Sequence, residues 1–238
     1  MGRSPLYEHP FFNGCTATAV DAITALGEIV DYPPGSEVLR FGEPAEHLFV
    51  LCSGVARVLI PGPDAMRFVA KIFVAPAVFG EMETLSRTTF IESVEAARAC
   101  RILRLSTEAL RRVFDAHPQV TKNLLVDVCR RFRATAVHSG FSATRSVEAR
   151  LANLLLAYLR AFGTQVAGGV QIVFDDLTLL ELASGIGANE KSVRRAIKTW
   201  AEAGWVLRRG KHIIVGNRDA LQELAGTDAP QLDYRWTA

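Results

Sequence analysis

The stretch Leu177-Thr178-Leu179-Leu180-Glu181-Leu182-Ala183-Ser184-Gly185-Ile186-Gly187-Ala188-Asn189-Glu190-Lys191-Ser192-Val193-Arg194-Arg195-Ala196-Ile197-Lys198-Thr199-Trp200 decides the fold. Thr178 followed three residues later by Glu181 is a helix start, because hydroxyl and carboxylate can each accept from the other residue's backbone N–H. A short helix then runs through Leu182-Ala183-Ser184, and small Ala183 lets a second helix approach closely. Gly185 and Gly187 permit a sharp turn, and Gly187 can take a positive φ without strain. Asn189 is a good N-cap for a helix over Glu190–Trp200 that buries Val193, Ile197 and Trp200 on one stripe. Gly204 suits the position just past its end. This is helix–turn–helix spacing.

The outer side of the second helix carries Lys191, Arg194, Arg195 and Lys198. Trp205–Val215 reads as a hairpin with a basic tip, a wing. From Asn189 to Arg218 there are eight basic residues (Lys191, Arg194, Arg195, Lys198, Arg208, Arg209, Lys211, Arg218) against two acidic ones (Glu190, Glu202). The whole chain carries only +2, so the positive charge is local. It lies where a helix and a wing would meet a phosphate backbone; a solvated basic face is the plain alternative.

Outward from this segment the texture changes. Residues 30–105 are short apolar bursts, among them Glu37–Leu39, His47–Leu51, Val55–Ile60, Phe68–Val74, Ser93–Ala96 and Cys100–Leu105. Gly35, Gly42, Gly54, Pro61-Gly62-Pro63 and Gly80 punctuate them. Such spacing predicts an antiparallel sandwich or barrel. Ser106–Phe114 reads as a helix, broken at His117-Pro118, and a longer helix follows. In it Leu125, Val128, Phe132, Thr135 and Ser139 recur at three- and four-residue steps, a heptad seam that predicts dimerisation. The span His138–Ser142 reads as a hinge. Val147–Leu159 is an amphipathic helix and Gly168–Phe174 a strand.

Several classes are excluded. With 49% apolar and 22% charged residues in 238, the chain is long enough for two domains and is not disordered. No apolar run approaches the roughly 20 residues of a membrane span, and the start lacks a secretory h-region. Cys15, Cys52, Cys100 and Cys129 are far apart, with no CxxC, and the histidines form no HxH or HExxH. That pattern predicts a cytoplasmic protein with neither a metal site nor a catalytic constellation. No cofactor is implied.

Taken together, the chain resembles the catabolite-activator (Crp/Fnr) family of bacterial transcription regulators. The resemblance is carried by Tyr32-Pro33-Pro34-Gly35, Phe41–Ala45, Leu48–Val55, Phe79-Gly80-Glu81-Met82, Ser106–Pro118, Val147–Leu156 and Leu177–Val206, in that order. It implies an α+β chain. A sensor jelly roll would span 1–117, a dimerisation helix and hinge 118–141, and a winged-helix DNA-binding domain 142–238. It also implies a homodimer on a near-palindromic duplex, a small-molecule effector and contact with RNA polymerase. DNA contacts would come from Thr178, Asn189, Glu190, Lys191, Ser192, Arg194, Arg195, Lys198, Arg209 and Lys211, with Arg195 matching a family arginine able to grip guanine O6 and N7. The dimer contact would use Leu125, Val128, Phe132 and Thr135.

The effector pocket implied by the resemblance comprises Gly80, Glu81, Met82, Arg87, Thr88, Phe90, Ile91 and Thr135. Members that bind cyclic nucleotides use a Gly-Glu pair similar to Gly80-Glu81 for phosphate and ribose. They also carry an Arg-Ser or Arg-Thr pair where this chain has Phe90-Ile91. Burying a phosphate beside Phe90 without a cation costs several kcal/mol. The chain is therefore expected not to bind cyclic AMP tightly, unless Arg87-Thr88 supplies the missing charge. An apolar ligand, a filled pocket or no ligand are the other readings. Thr135 falls where relatives place an adenine-contacting threonine, or is a small seam residue. Glu190-Lys191 departs from the family's Arg-Glu order, which predicts a different half-site. A cupin-type metal enzyme is the rival reading of the first half, but such enzymes need converging His and Glu ligands, and no paired histidines occur there.

Overall fold

The computed structural model describes residues 5–61, 67–167, 169–172, 178–209 and 212–226. Two compact units divide the chain, Met1–Arg131 and Phe132–Tyr234. The first holds helix α1 (Ala17–Ala25), strands β1 (Glu28–Tyr32), β2 (Glu37–Leu39), β3 (His47–Ser53), β4 (Val55–Pro61), β5 (Arg67–Val74) and β6 (Ala77–Phe79), helix α2 (Glu81–Ser86), strands β7 (Ser93–Ala96) and β8 (Cys100–Ser106), and helix α3 (Thr107–Ala116). Helix α4 (Pro118–Thr144) begins there and runs into the second unit.

The strands form two antiparallel sheets, ordered β1-β8-β3-β6 and β2-β7-β4-β5. Alternating inward residues fill the space between them. Ala56, Val58 and Phe73 from one sheet meet Phe49, Leu51, Phe79 and Ile102 from the other. A second core joins the outer face of the β8–β3 pair to Leu6, Phe11, Phe12, Ile23, Leu110, Val113, Val120 and Leu124. The first turns of α4 are thereby packed onto this unit, and the Asn123 side chain donates to the Phe11 and Asn13 carbonyls at 3.0 and 2.8 Å. This is the jelly roll followed by a long helix that the sequence implies. β1, β6, α1 and α2 lie beyond the bursts legible in the sequence.

Two readings of α4 need correction. The hinge expected at His138–Ser142 is helical, and α4 continues to Thr144. Gly140 alone disfavours helix by only about 1 kcal/mol relative to Ala, too little to stop it. The break falls at Arg145-Ser146, where Ser146 caps the next helix by accepting from the Ala149 N–H at 3.1 Å. The heptad seam also does not hold as one face. Leu125 and Phe132 are exposed, at 62% and 76%, but Val128 packs against the roll's core. At 3.6 residues per turn the exposed stripe runs instead through Leu125, Cys129, Phe132 and Ala136.

The second unit contains α5 (Val147–Phe162), β9 (Gly163–Val166), β10 (Gly169–Ile172), α6 (Leu179–Gly185), α7 (Glu190–Glu202), β11 (Val206–Arg209), β12 (His212–Val215) and α8 (Arg218–Ala225). The sheet order is β11-β12-β10-β9, all antiparallel. Helix α5 packs against α6, α7 and α8 and buries Leu151, Leu154, Leu155 and Leu156 among them. Of the strand expected over Gly168–Phe174, Gly169–Ile172 is β10, while Gly168, Val173 and Phe174 lie outside the described residues. β9 and α8 carry no motif that singled them out.

Candidate nucleic-acid interface

Local bonds build the pair α6–α7. Thr178 Oγ1 accepts from the Glu181 N–H at 3.1 Å, and Glu181 Oε2 accepts from the Thr178 N–H at 2.7 Å, completing the reciprocal cap. Leu182 and Ala183 are buried under α6. Gly187 has φ +61°, the left-handed value that lets the chain turn, and Ala188 N–H donates to the Ala183 carbonyl at 2.9 Å. Gly185 serves differently: it ends α6 with ordinary dihedrals, and a Cβ there would meet Leu154 Cδ2 at 3.2 Å. It is small so that α6 can approach α5. Asn189 Oδ1 accepts from the Ser192 N–H at 2.8 Å and starts α7.

Helix α7 buries Val193, Ala196, Ile197 and Trp200. The opposite side exposes Lys191, Arg194, Arg195 and Lys198, with half-buried Glu190 beside them. These charges differ in how they are engaged. Arg194 Nη2 meets Glu190 Oε1 one turn back, and Lys198 Nζ lies 3.8 Å from Glu202. Lys191 and Arg195 have no carboxylate partner among the described residues. β11 and β12 pair as the wing, with Arg209 opposite His212 and exposed; Lys211 lies outside the described residues.

A residue outside the helix–turn–helix motif supports it. Arg150, on α5, donates to the Ile186 carbonyl at 2.5 Å. It braces the turn between α6 and α7 from behind. Only the fold brings it there from 36 residues away.

In the first unit, Gly80 has φ +75° as it caps α2, and a Cβ there would stand 3.0 Å from Phe49 Cδ2. Glu81 is 2% exposed and is held by Arg131 of α4, Nη2 to Oε1 2.6 Å. The same guanidinium reaches Asp127 at 2.7 Å. Asp127 and Arg131 had no signal in the sequence beyond lying off the heptad seam. Lys71 Nζ stands 4.6 Å over the Phe73 ring, a cation–π contact. Burial, then the Arg131 charge, lower the Lys71 ammonium against the pull of Glu81, Glu92 and Asp127. Burial pushes Glu92 up to about 7, with Glu83 and Glu81 adding to it and Lys71 and Arg131 opposing. Four carboxylates here share two cations.

The expected pocket residues therefore separate. Phe90 is buried in the core, its ring 6.2 Å from that of Phe49, which stacks on Phe79 at 5.2 Å. Met82 and Ile91 are exposed, and so is Thr88. Arg87 ends α2 and lines a surface cleft of about 280 Å³ with Leu85, Glu108, Arg111 and Phe114. It is not among the charges acting on Lys71, Glu83, Glu92 or Asp127. Thr135 is exposed on α4, beyond the residues of the first unit. Among the described residues no group of three or more His, Cys, Asp or Glu has the geometry of a metal site, and no helix is long and apolar enough to cross a membrane.

Comparison with known proteins agrees with both units. The cyclic nucleotide-binding domain family matches residues 29–117, and the Crp-like helix-turn-helix domain family matches residues 149–224. The CRP-like cAMP-activated global transcriptional regulator of Mycobacterium tuberculosis is 28% identical over 214 residues, covering 90% of this chain and 95% of that protein. The cAMP-activated global transcriptional regulator CRP of Escherichia coli is 25% identical over 189 residues, covering 77% and 87%. Among solved structures, the c-di-GMP responsive global regulator CLP of Xanthomonas campestris superposes with a TM-score of 0.74 at 21% identity, over 84% of this chain and 99% of that one.

Proposed function

The chain belongs to the Crp/Fnr family of transcription regulators, and from that premise we propose that a homodimer of it reads a near-palindromic duplex with α7. Two recognition helices roughly 34 Å apart enter successive major grooves. Arg195 takes guanine O6 and N7, and Lys191 is free to do the same or to meet a phosphate. The caps Thr178 and Asn189, with Ser192, Lys198, Arg209 and Lys211, hold the backbone in register. The observation that carries this reading is the row of cations on α7 opposite Val193 and Trp200, with Lys191 and Arg195 lacking a carboxylate partner among the described residues. The exposed stripe Leu125-Cys129-Phe132-Ala136 is the surface offered to the second copy. RNA polymerase, met in the cytoplasm at the bound promoter, completes the proposal; no catalytic step enters it.

The effector is proposed not to be tightly bound cyclic AMP. Phe90 stands where relatives carry the phosphate's cation, Arg87 lines another cleft, and Lys71 and Arg131 are already engaged by Glu81, Glu92 and Asp127. Titration calorimetry is expected to show no micromolar affinity, and such affinity would refute it. For the DNA contact, Arg195→Ala is expected to weaken specific binding by about 1–3 kcal/mol. Lys211→Ala should weaken all sequences alike and flatten the salt dependence. An unchanged footprint for Arg195→Ala would remove it from the interface.

A further inference from the structure

The charged residues on the outer face of α7 are not equivalent. Lys191 and Arg195 are unpaired among the described residues, Lys198 leans toward Glu202 in the third and fourth turns, and Arg194 is committed to Glu190. Glu190 is the first residue of the helix, next to the Asn189 cap. Recognition helices enter the major groove with their N-terminal residues against the base edges, so Glu190, Lys191, Arg194 and Arg195 all fall in the reading part. A lone carboxylate there would be repelled by the phosphates. Glu190 is not alone, because Arg194 lies against its Oε1 and balances the charge. What remains is an oriented acceptor with a second oxygen available. In the major groove the donors such an acceptor meets are exocyclic amines, and carboxylates pair with the N4 amine of cytosine.

We infer that Glu190 is a specificity-determining residue that accepts a hydrogen bond from cytosine N4, and that Arg194 is a positioning residue that holds its carboxylate and reads no base itself. This rests on the DNA-binding reading above. It divides the labour on α7: an acceptor at Glu190, guanine or phosphate donors at Lys191 and Arg195, and a brace at Arg194. A pair that merely stiffened the helix, as Glu and Arg four residues apart do, would leave base preference untouched.

The test is selection by the full-length chain from a duplex library with a randomised centre, in dilute buffer, followed by affinities for single-base variants of the selected site. One position in each half-site is expected to prefer cytosine. Glu190→Ala should lose that preference, roughly 5- to 150-fold, and keep the others. Glu190→Gln should move it toward adenine, the base that Gln pairs with, and this decides the matter even where Glu190→Ala binds weakly. Arg194→Ala should blunt discrimination at the same position only, and the double variant should be no worse there than Glu190→Ala. Unchanged base preference in Glu190→Ala and Glu190→Gln, or loss of a guanine preference in Arg194→Ala, overturns the inference while DNA binding stands. Failure of the parent chain to select any sequence removes the DNA-binding reading itself.

Discussion

Replacing Arg131 by Met should destabilise the first unit more than any surface substitution, in a way that depends on pH. The guanidinium is one-quarter exposed and sits between two carboxylates, Glu81 and Asp127, whose side chains are only 2% and 6% exposed. Methionine keeps most of the aliphatic stem and removes the charge. Breaking a buried ion pair from one side costs about 3–5 kcal/mol. An independent bound gives the same size. A stranded carboxylate can take up a proton instead of staying charged, and protonating a group of ordinary value about 4.3 at pH 7.5 costs about 4 kcal/mol. The sign follows from proton binding. Between about pH 4 and neutrality the folded variant holds a proton that the unfolded chain does not, so its stability rises as pH falls, by up to about 1.4 kcal/mol per unit for one carboxylate. Urea unfolding of parent and variant at pH 7.5 and 5.5, followed by the far-ultraviolet signal of the sheets, measures both quantities. A loss below about 1 kcal/mol, or one that does not shrink on acidification, would refute the claim that this arginine neutralises two buried acids.

Burial pushes Glu92 up to about 7, so its neutral form is favoured in the folded state; the contribution is complete below the unfolded value and fades as pH rises through about 7. Glu92→Gln is expected to flatten the fall in melting temperature between pH 6 and 8, and an unaltered slope would count against the shift. Asn189→Ala removes the acceptor for the Ser192 N–H and should cost about 1 kcal/mol of thermal stability while weakening duplex binding, as calorimetry and anisotropy would show. Cys129 is exposed between Leu125 and Phe132 on α4. Mild oxidation should therefore yield a covalent dimer on non-reducing gels, abolished in Cys129→Ser; its absence at concentrations where sedimentation shows a dimer would place the contact elsewhere on α4.

What the sequence made legible is what local chemistry dictates. The two caps, the turn and the buried stripe of α7 lie within 25 residues and need no knowledge of the rest of the chain. The strand bursts were visible because turn residues bracket them. β6, only Ala77–Phe79, is too short to show alternation. Gly140 looks like punctuation and points to a hinge, but α4 has proline only at its first position, where it costs no hydrogen bond, and carries its single glycine at small cost. Spacing alone places Val128 on the seam with Leu125 and Phe132; that it also packs against the roll's core depends on where the roll lies, which no local pattern states. For Arg131 only the i,i+4 spacing from Asp127 is local; its other partner, Glu81, is 50 residues away, and nothing in the sequence marks either carboxylate as buried. Phe90 stands out in the sequence as a departure from the family pattern, but only the packing shows that it fills the core.

If the cations of α7 and the wing form an array that fits a duplex, binding must be electrostatic and sensitive to salt. Fluorescence anisotropy of the full-length chain with a labelled random-sequence duplex, over roughly 50 to 200 mM salt, tests it most directly. Measurable binding is expected at the low end, falling linearly in log–log form with a slope that becomes shallower when Lys191 and Arg195 are both replaced by alanine. Absence of binding at the lowest salt, or a slope unmoved by that double replacement, would contradict it.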